Sequence, residues 1–174
     1  MNKNINVRFG LQYGLIIGIV YCALLFFRWH SSVSTVQFGM GTLLSYMLVV
    51  VLLFFEAFQR KKSNAGFISL KELFQTLFIS VLVFELLFSV YNYIHVTYIE
   101  PEAVTRITKD LIKTAEETTN TEQKKLYVEA IASITKFKEV SYMIRNYPFC
   151  IAISGIVSFV VAVIMKKNKP VTQQ

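Results

Sequence analysis

The sequence predicts an all-α integral membrane protein: four transmembrane helices, with an extracytoplasmic amphipathic helical hairpin between the third and fourth spans. Three observations carry that prediction. Of 174 residues, 54% are hydrophobic, too large a share for an ordinary soluble domain. The apolar residues fall in four blocks, at about 9–27, 36–57, 73–94 and 147–165, each near the roughly 20 residues a helix needs to cross a hydrocarbon core about 30 Å thick. The basic residues, finally, gather at alternate ends of those blocks. Residues 1–174 therefore read as a single membrane domain, with 100–146 as its helical insert.

Lys3 and Arg8 precede the first block as they would in a secretory signal, but the apolar run is longer than a signal core and ends in Phe27-Arg28-Trp29-His30. It is expected to stay attached as an anchor. Gly10, Gly14, Gly18 and Cys22 put a small residue at every fourth position, which makes a groove along one face where another helix can lie close. The occupant can be a helix of the same chain or of a second subunit. The loop from Arg28 to Thr35 is short, and Trp29 is expected among the lipid headgroups.

In the second span Gly41 and Ser45 lie one turn apart and Tyr46 sits near the middle, while Glu56 precedes Arg60 by four residues, the spacing of an interfacial ion pair. In the following loop Gly66 gives room to turn. Ser69-Leu70-Lys71-Glu72 then forms a capping box that opens the third span.

The insert begins at Pro101, suited to a first helical turn, and Val104, Ile107 and Leu111 recur at helical spacing through about Ala115. The polar run Glu116 to Thr121 interrupts the pattern, after which Leu126, Ile131, Ile134, Phe137 and Val140 mark a second helix. A segment this short cannot bury a core of its own. It must pack on the spans, on the bilayer surface or on a partner chain, or serve as a solvated connector. The chain re-enters the membrane near Asn146-Tyr147-Pro148, with Pro148 expected in an early helical turn, and the polar tail after Lys169 is expected to lack fixed structure.

The net charge of +7 is accounted for by topology rather than by nucleic acid. Lys3, Arg8, Arg60, Lys61, Lys62, Lys71, Lys166, Lys167 and Lys169 flank the ends assigned to the cytoplasm, and only Arg28 lies in the first loop. The insert carries eight basic and eight acidic residues, a balance that crosses the membrane with little resistance. Both termini are thus placed in the cytoplasm. Cys22 and Cys150 fall inside spans and read as packing residues. His30 and His95 can approach Glu100 but read as interfacial side chains, so no metal and no other cofactor is expected.

The least expected residue is Glu85, near the middle of the third span. An ionised carboxylate there opposes insertion by roughly 2.5–3.5 kcal/mol, while each Leu, Ile, Val or Phe of the same span favours it by roughly 0.3–0.6 kcal/mol, so the helix still inserts. Ser89 and Asn92 share its face, which predicts a water-accessible cleft open to the extracytoplasmic side and closed inward by Val81, Phe78 and Phe74. Ser45, Tyr46, Ser154 and Ser158 stand at similar depth as possible hydrogen-bond donors, and no Lys or Arg does. Without a cationic partner the neutral acid is the expected form. Two roles remain open for it, hydrogen-bonding glue between helices and a proton, cation or ligand site.

The glycines of the first span, the stretch Gly66-Phe67-Ile68-Ser69-Leu70-Lys71-Glu72-Leu73-Phe74 and the segment Tyr98-Ile99-Glu100-Pro101-Glu102 resemble a bacterial membrane family, domain of unknown function 4199, known mainly from Bacteroidota. The resemblance covers nearly the whole chain. It implies a four-span protein of a bacterial inner membrane and supplies no activity and no functional residues. There is no phosphate-cradling glycine loop and no nucleophile with an evident base, so no catalytic residue is assigned and no enzyme is expected. The expected role is non-enzymatic interaction or assembly, in contact with lipid and with a membrane-protein partner or a further copy of the chain. The alternative is a small oligomeric transporter or channel-like protein working through Glu85.

Overall fold

The computed structural model describes residues 3–168 and is all-helical. In order the helices are α1 (Lys3–Ser31), α2 (Thr35–Lys62), α3 (Leu70–Ile94), α4 (Pro101–Glu117), α5 (Thr121–Thr135) and α6 (Val140–Met165). A π-helical turn, His95–Ile99, extends α3, and a 3-10 turn, Lys136–Lys138, precedes α6. Helices α1, α2, α3 and α6 are long and apolar enough to cross a membrane, so the chain is a multi-pass membrane protein. The tail after Lys169 lies outside the described residues.

The central column is α3, whose Leu73, Thr76, Leu77, Ser80, Val81, Phe84 and Glu85 are all buried. It packs on α1 and α6, and α2 closes the ring against both. The groove of small residues on α1 is filled by α3. A Cβ added at Gly10 would lie 2.6 Å from the Thr76 carbonyl oxygen, one at Gly14 2.8 Å from Val83 Cβ, and one at Gly18 2.5 Å from a Leu87 methyl. The same contact carries hydrogen bonds along its length. Asn6 Nδ2 donates to Gln75 Oε1 at 3.3 Å, Ser80 Oγ to the Gly10 carbonyl at 2.8 Å, and the Trp29 indole to Asn92 Oδ1 at 3.0 Å.

The loop before α3 is built as expected. Gly66 takes a left-handed φ of 82°, Ser69 Oγ accepts from the Glu72 amide at 3.3 Å, and the Glu72 carboxylate accepts from the Ser69 amide at 3.3 Å. Ile68 and Lys167 then exchange backbone hydrogen bonds of 2.8 and 3.0 Å, tying this loop to the end of α6.

Several expectations are corrected. Trp29 is fully buried rather than among headgroups, because α1 runs on to Ser31 and the indole finds its partner inside the bundle. Pro148 lies well inside α6, not in its first turn, since the helix already begins at Val140. Val140 belongs to α6 and Phe137 to the 3-10 turn, so α5 is shorter than its apolar spacing suggested.

Helices α4 and α5 pack on each other, and α4 also packs on the bundle through Ala103, Val104, Ile107 and Leu111, which join Leu25, Trp29 and Val96 in one apolar cluster. Two charged side chains one turn apart fix its position. Arg106 donates to the carbonyls of Trp29 and Ser32 at the end of α1, and Asp110 Oδ2 accepts from the Thr35 amide at the start of α2, at 2.7 Å. Each charge thus meets the helix end of opposite polarity.

That amide bond holds the Asp110 carboxyl below the ordinary aspartate range. Because the folded value is the lower one, the carboxylate's contribution is whole above about pH 4 and is lost as the pH falls through the depressed value. Asp110→Ala is expected to lower stability by about 1 kcal/mol at neutral pH, with the gap from the parent narrowing in acid. Thermal unfolding in micelles, followed by circular dichroism across pH, measures it; a gap that does not change with pH counts against the clamp.

The α1–α3 contact makes a sharper demand. Gly14→Ala is expected to destabilise by about 1–3 kcal/mol through overpacking. Gly39→Ala, where an added Cβ meets nothing within 4 Å, should be neutral or stabilising by up to about 1 kcal/mol. Equal melting temperatures for the two variants would refute close helix contact at Gly14.

Candidate functional site

The polar stripe on α3 divides. Glu85 is only 2% exposed, and Ser154 Oγ of α6 donates to its Oε1 at 2.5 Å. Ser158 turns instead to the Gly155 carbonyl at 2.8 Å, and Ser45 to the Gly41 carbonyl at 2.7 Å. Ser154 is therefore the one of the four expected donors whose hydroxyl meets the acid. Ser89 and Asn92, one and two turns further along α3, line a cavity of about 190 Å³ that Glu85 does not line. A cavity thus accompanies the end of the stripe at Ser89 and Asn92 and stops short of the carboxylate.

The cavity lies between α1, α2, α3 and α6 at the end of the bundle that carries Phe137. Its walls combine the rings of Phe38, Tyr46, Phe88, Tyr93 and Tyr142 with Thr42, Ser89, Asn92, Asn146 and Cys150. Apolar walls with a few convergent polar groups are the common make-up of ligand pockets, and a volume below the usual 300–1,000 Å³ suits a small ligand.

Arg28 also lines it, which corrects the placement of that residue in a loop. Tyr21, Leu25, Arg28 and Trp29 share the buried face of α1, and Arg28 is 7% exposed. The side chain crosses toward α2, where Gly41 leaves room for it: a Cβ there would sit 3.2 Å from Arg28 Cγ. The guanidinium lies 4.7 Å from the centroid of the Phe38 ring, and Nη1 donates to Thr42 Oγ1 at 3.1 Å. Nε has no hydrogen-bond partner among the described residues, and none of their carboxylates lies within ion-pair distance of Arg28. The ring contact stabilises a cation by about 0.5–2 kcal/mol, less than the several kcal/mol that burying an unpaired charge costs.

A second buried acid escaped the reading from sequence. Glu56 is fully buried, and the expected pair with Arg60 is not formed. Ser80 Oγ lies 2.6 Å from Glu56 Oε1 while also meeting the Gly10 carbonyl, and Arg60 turns to Asn6 Oδ1, with bonds of 2.6 and 3.1 Å. A hydroxyl has one proton, so Ser80 bonds both neighbours fully when the Glu56 carboxyl itself supplies the second. The signal was present in the spacing, because Val49, Leu53, Glu56 and Arg60 fall on one face.

At the α4 end the histidines do approach Glu100: His95 Nε2 lies 3.5 Å and His30 Nδ1 3.7 Å from Oε2, while Arg106 holds Oε1 at 2.9 Å. Only His30 is exposed. His95 is completely buried beside Trp29 and Phe26, not at an interface. Among the described residues no group of three or more His, Cys, Asp or Glu is arranged to hold a metal ion. Cys22 meets the Leu87 carbonyl at 3.7 Å, and Cys150 accepts from Asn146 at 3.3 Å.

The Glu85–Ser154 bond generates a test of the glue role. Glu85→Gln retains an acceptor and should stay within about 1 kcal/mol of the parent, whereas Glu85→Leu leaves the Ser154 hydroxyl unpaired and should lose about 1–3 kcal/mol. Unfolding in micelles reads both; equal tolerance of the two variants counts against the bond as a helix tie.

A family model described as "Protein of unknown function (DUF4199)" matches residues 8–167. No curated protein matches the chain, and no solved structure does.

Proposed function

We propose, taking as premise that the chain belongs to the DUF4199 family, that it is a non-enzymatic protein of a bacterial inner membrane that binds a small molecule in the cavity beside Arg28. The observation that carries this reading is the cavity itself, a half-enclosed space where aromatic walls surround Ser89, Asn92, Asn146 and a buried cation. Its lining offers Cys150 but no histidine or carboxylate to take a proton from it, which favours binding over catalysis. Binding is also favoured over conduction, because α3 beyond Ser89 is packed tight through Phe84, Val81 and Leu77.

The interaction role expected from sequence is narrowed. The glycine groove is occupied by α3, and the apolar face of α4 by the bundle. What supports a partner contact is α5, which buries no residue and exposes Leu126 and Val128. Both termini are assigned to the cytoplasm and the α4–α5 segment to the opposite side, on the strength of Arg60, Lys61, Lys62, Lys166 and Lys167 at one end of the bundle.

Cys150 makes the reading testable. In a Cys22→Ala background, a membrane-impermeant methanethiosulfonate added to spheroplasts is expected to modify Cys150, and Ser89→Phe, which fills the cavity, is expected to slow that modification at least tenfold. Modification from inverted vesicles alone reverses the orientation. Absence of modification from both sides, or indifference to Ser89→Phe, rejects the cavity as a binding site.

A further inference from the structure

From the unanswered cation we infer that the cavity's ligand is a small oxyanion with an apolar body, a carboxylate or a phosphate, held by the Arg28 guanidinium. The inference rests on the cavity being a ligand site and adds the chemistry of the ligand.

A guanidinium carries five N–H donors in a planar fork that matches carboxylate and phosphate oxygens. In this structure one hydrogen bond, to Thr42, is made, and Nε has none. An arginine near a helix end ordinarily extends to the headgroups, its stem covering apolar surface. Arg28 does the reverse: it is 7% exposed, and its head is directed across to Phe38 and Thr42 of α2, both of which line the cavity with it. Every other buried or half-buried arginine whose contacts are described has its match, Arg60 in Asn6 and Ser63, and Arg106 in Glu100 and two carbonyls. An oxyanion in the cavity supplies what Arg28 lacks, and the surrounding rings accommodate the rest of such a molecule.

Two sources offer that chemistry. Arg28 also borders a crevice of about 580 Å³ between α1 and α2, in which Ser31, Ser32 and Gln37 lie toward the helix ends and Leu44 and Leu48 lie deeper. A lipid phosphate with its acyl chain directed inward meets the same gradient of polarity. The shared feature is the oxyanion at Arg28, whether it arrives from water or from the bilayer.

Trp29, the only tryptophan, reports on the site because its indole is bonded to Asn92 and its ring lies 4.5 Å from Phe38. With the full chain delipidated in dodecyl maltoside micelles, which carry no phosphate, benzoate is expected to give a saturable change in tryptophan fluorescence. Benzyl alcohol, of similar shape but uncharged, should bind at least tenfold more weakly, and Arg28→Gln should weaken benzoate at least tenfold. Benzoate affinity that is unchanged when phosphatidylglycerol is added to the micelles upholds the inference with a soluble anion. Affinity lowered at least tenfold there upholds it with a lipid phosphate on the same cation. Equal affinity for benzoate and benzyl alcohol in the unsubstituted chain overturns the inference and leaves the cavity reading intact, with no variant whose folding could be questioned. No response to benzoate in the phosphate-free micelles overturns it as well, and Cys150 modification then decides separately whether the cavity binds anything.

Discussion

The close approach of α1 to α3 is the constraint on which the remaining geometry depends. Within a bilayer the apolar side chains gain little by leaving lipid for one another, so helices associate through packing and hydrogen bonds. Three glycines, Gly10, Gly14 and Gly18, bring the backbones near enough for both to act. The bond from Ser80 to the Gly10 carbonyl exists only at that separation. It places Ser80 where Glu56 of α2 reaches it, so three helices meet at one hydroxyl. At the far end of the same contact, Asn92 receives the Trp29 indole and thereby fixes the side of α1 from which Arg28 enters the bundle.

Glu56, Glu85, Arg28 and Arg60 are all buried among these helices, and the bundle treats them unequally. Glu85 is matched by Ser154, Arg60 by Asn6, and Glu56 by Ser80 at Oε1, its Oε2 having no hydrogen-bond partner among the described residues. Each is held by a neutral partner on a neighbouring helix, the arrangement expected where an unsatisfied polar group has no water to turn to. Arg28 alone is left with most of its donors free beside a cavity. The asymmetry separates the polar residues that hold helices together from the one that borders the cavity.

The sequence made the four spans legible because length and apolarity alone specify them, and it made the capping box at Ser69 legible because that motif is local. The glycine ladder announced a tight contact, though not its occupant, since a groove reads the same whichever helix fills it. What stayed hidden was which face of each span looks inward. Both lipid and protein interior accept Leu and Val, so Leu44, Met47 and Val51 on the lipid side of α2 read no differently from Val49 and Leu53 inside. Only polar residues mark the inner face, and Glu56 was obscured by the charged cluster just beyond it. Arg28 was missed for a related reason: a basic residue after an apolar block reads as a loop residue until the helix is known to continue to Ser31.

The position of the cavity follows from the same division of residues along α1. From Gly10 to Gly18 small residues let α3 close directly onto the backbone. Beyond them α1 presents Tyr21, Leu25 and Trp29, whose bulk replaces backbone contact with ring packing, Tyr21 on Phe88 at 4.4 Å and Trp29 on Phe38 at 4.5 Å. The backbones approach most closely where the glycines lie, the cavity lies beside this second group of residues, and α4 is clamped by Arg106 and Asp110 to the helix ends of that half. The cap also packs on this half through Ala103, Val104, Ile107 and Leu111, in a cluster that Phe38, Phe88 and Phe137 of the cavity wall join. One end of the molecule thus holds the closest backbone contacts and the other an open space.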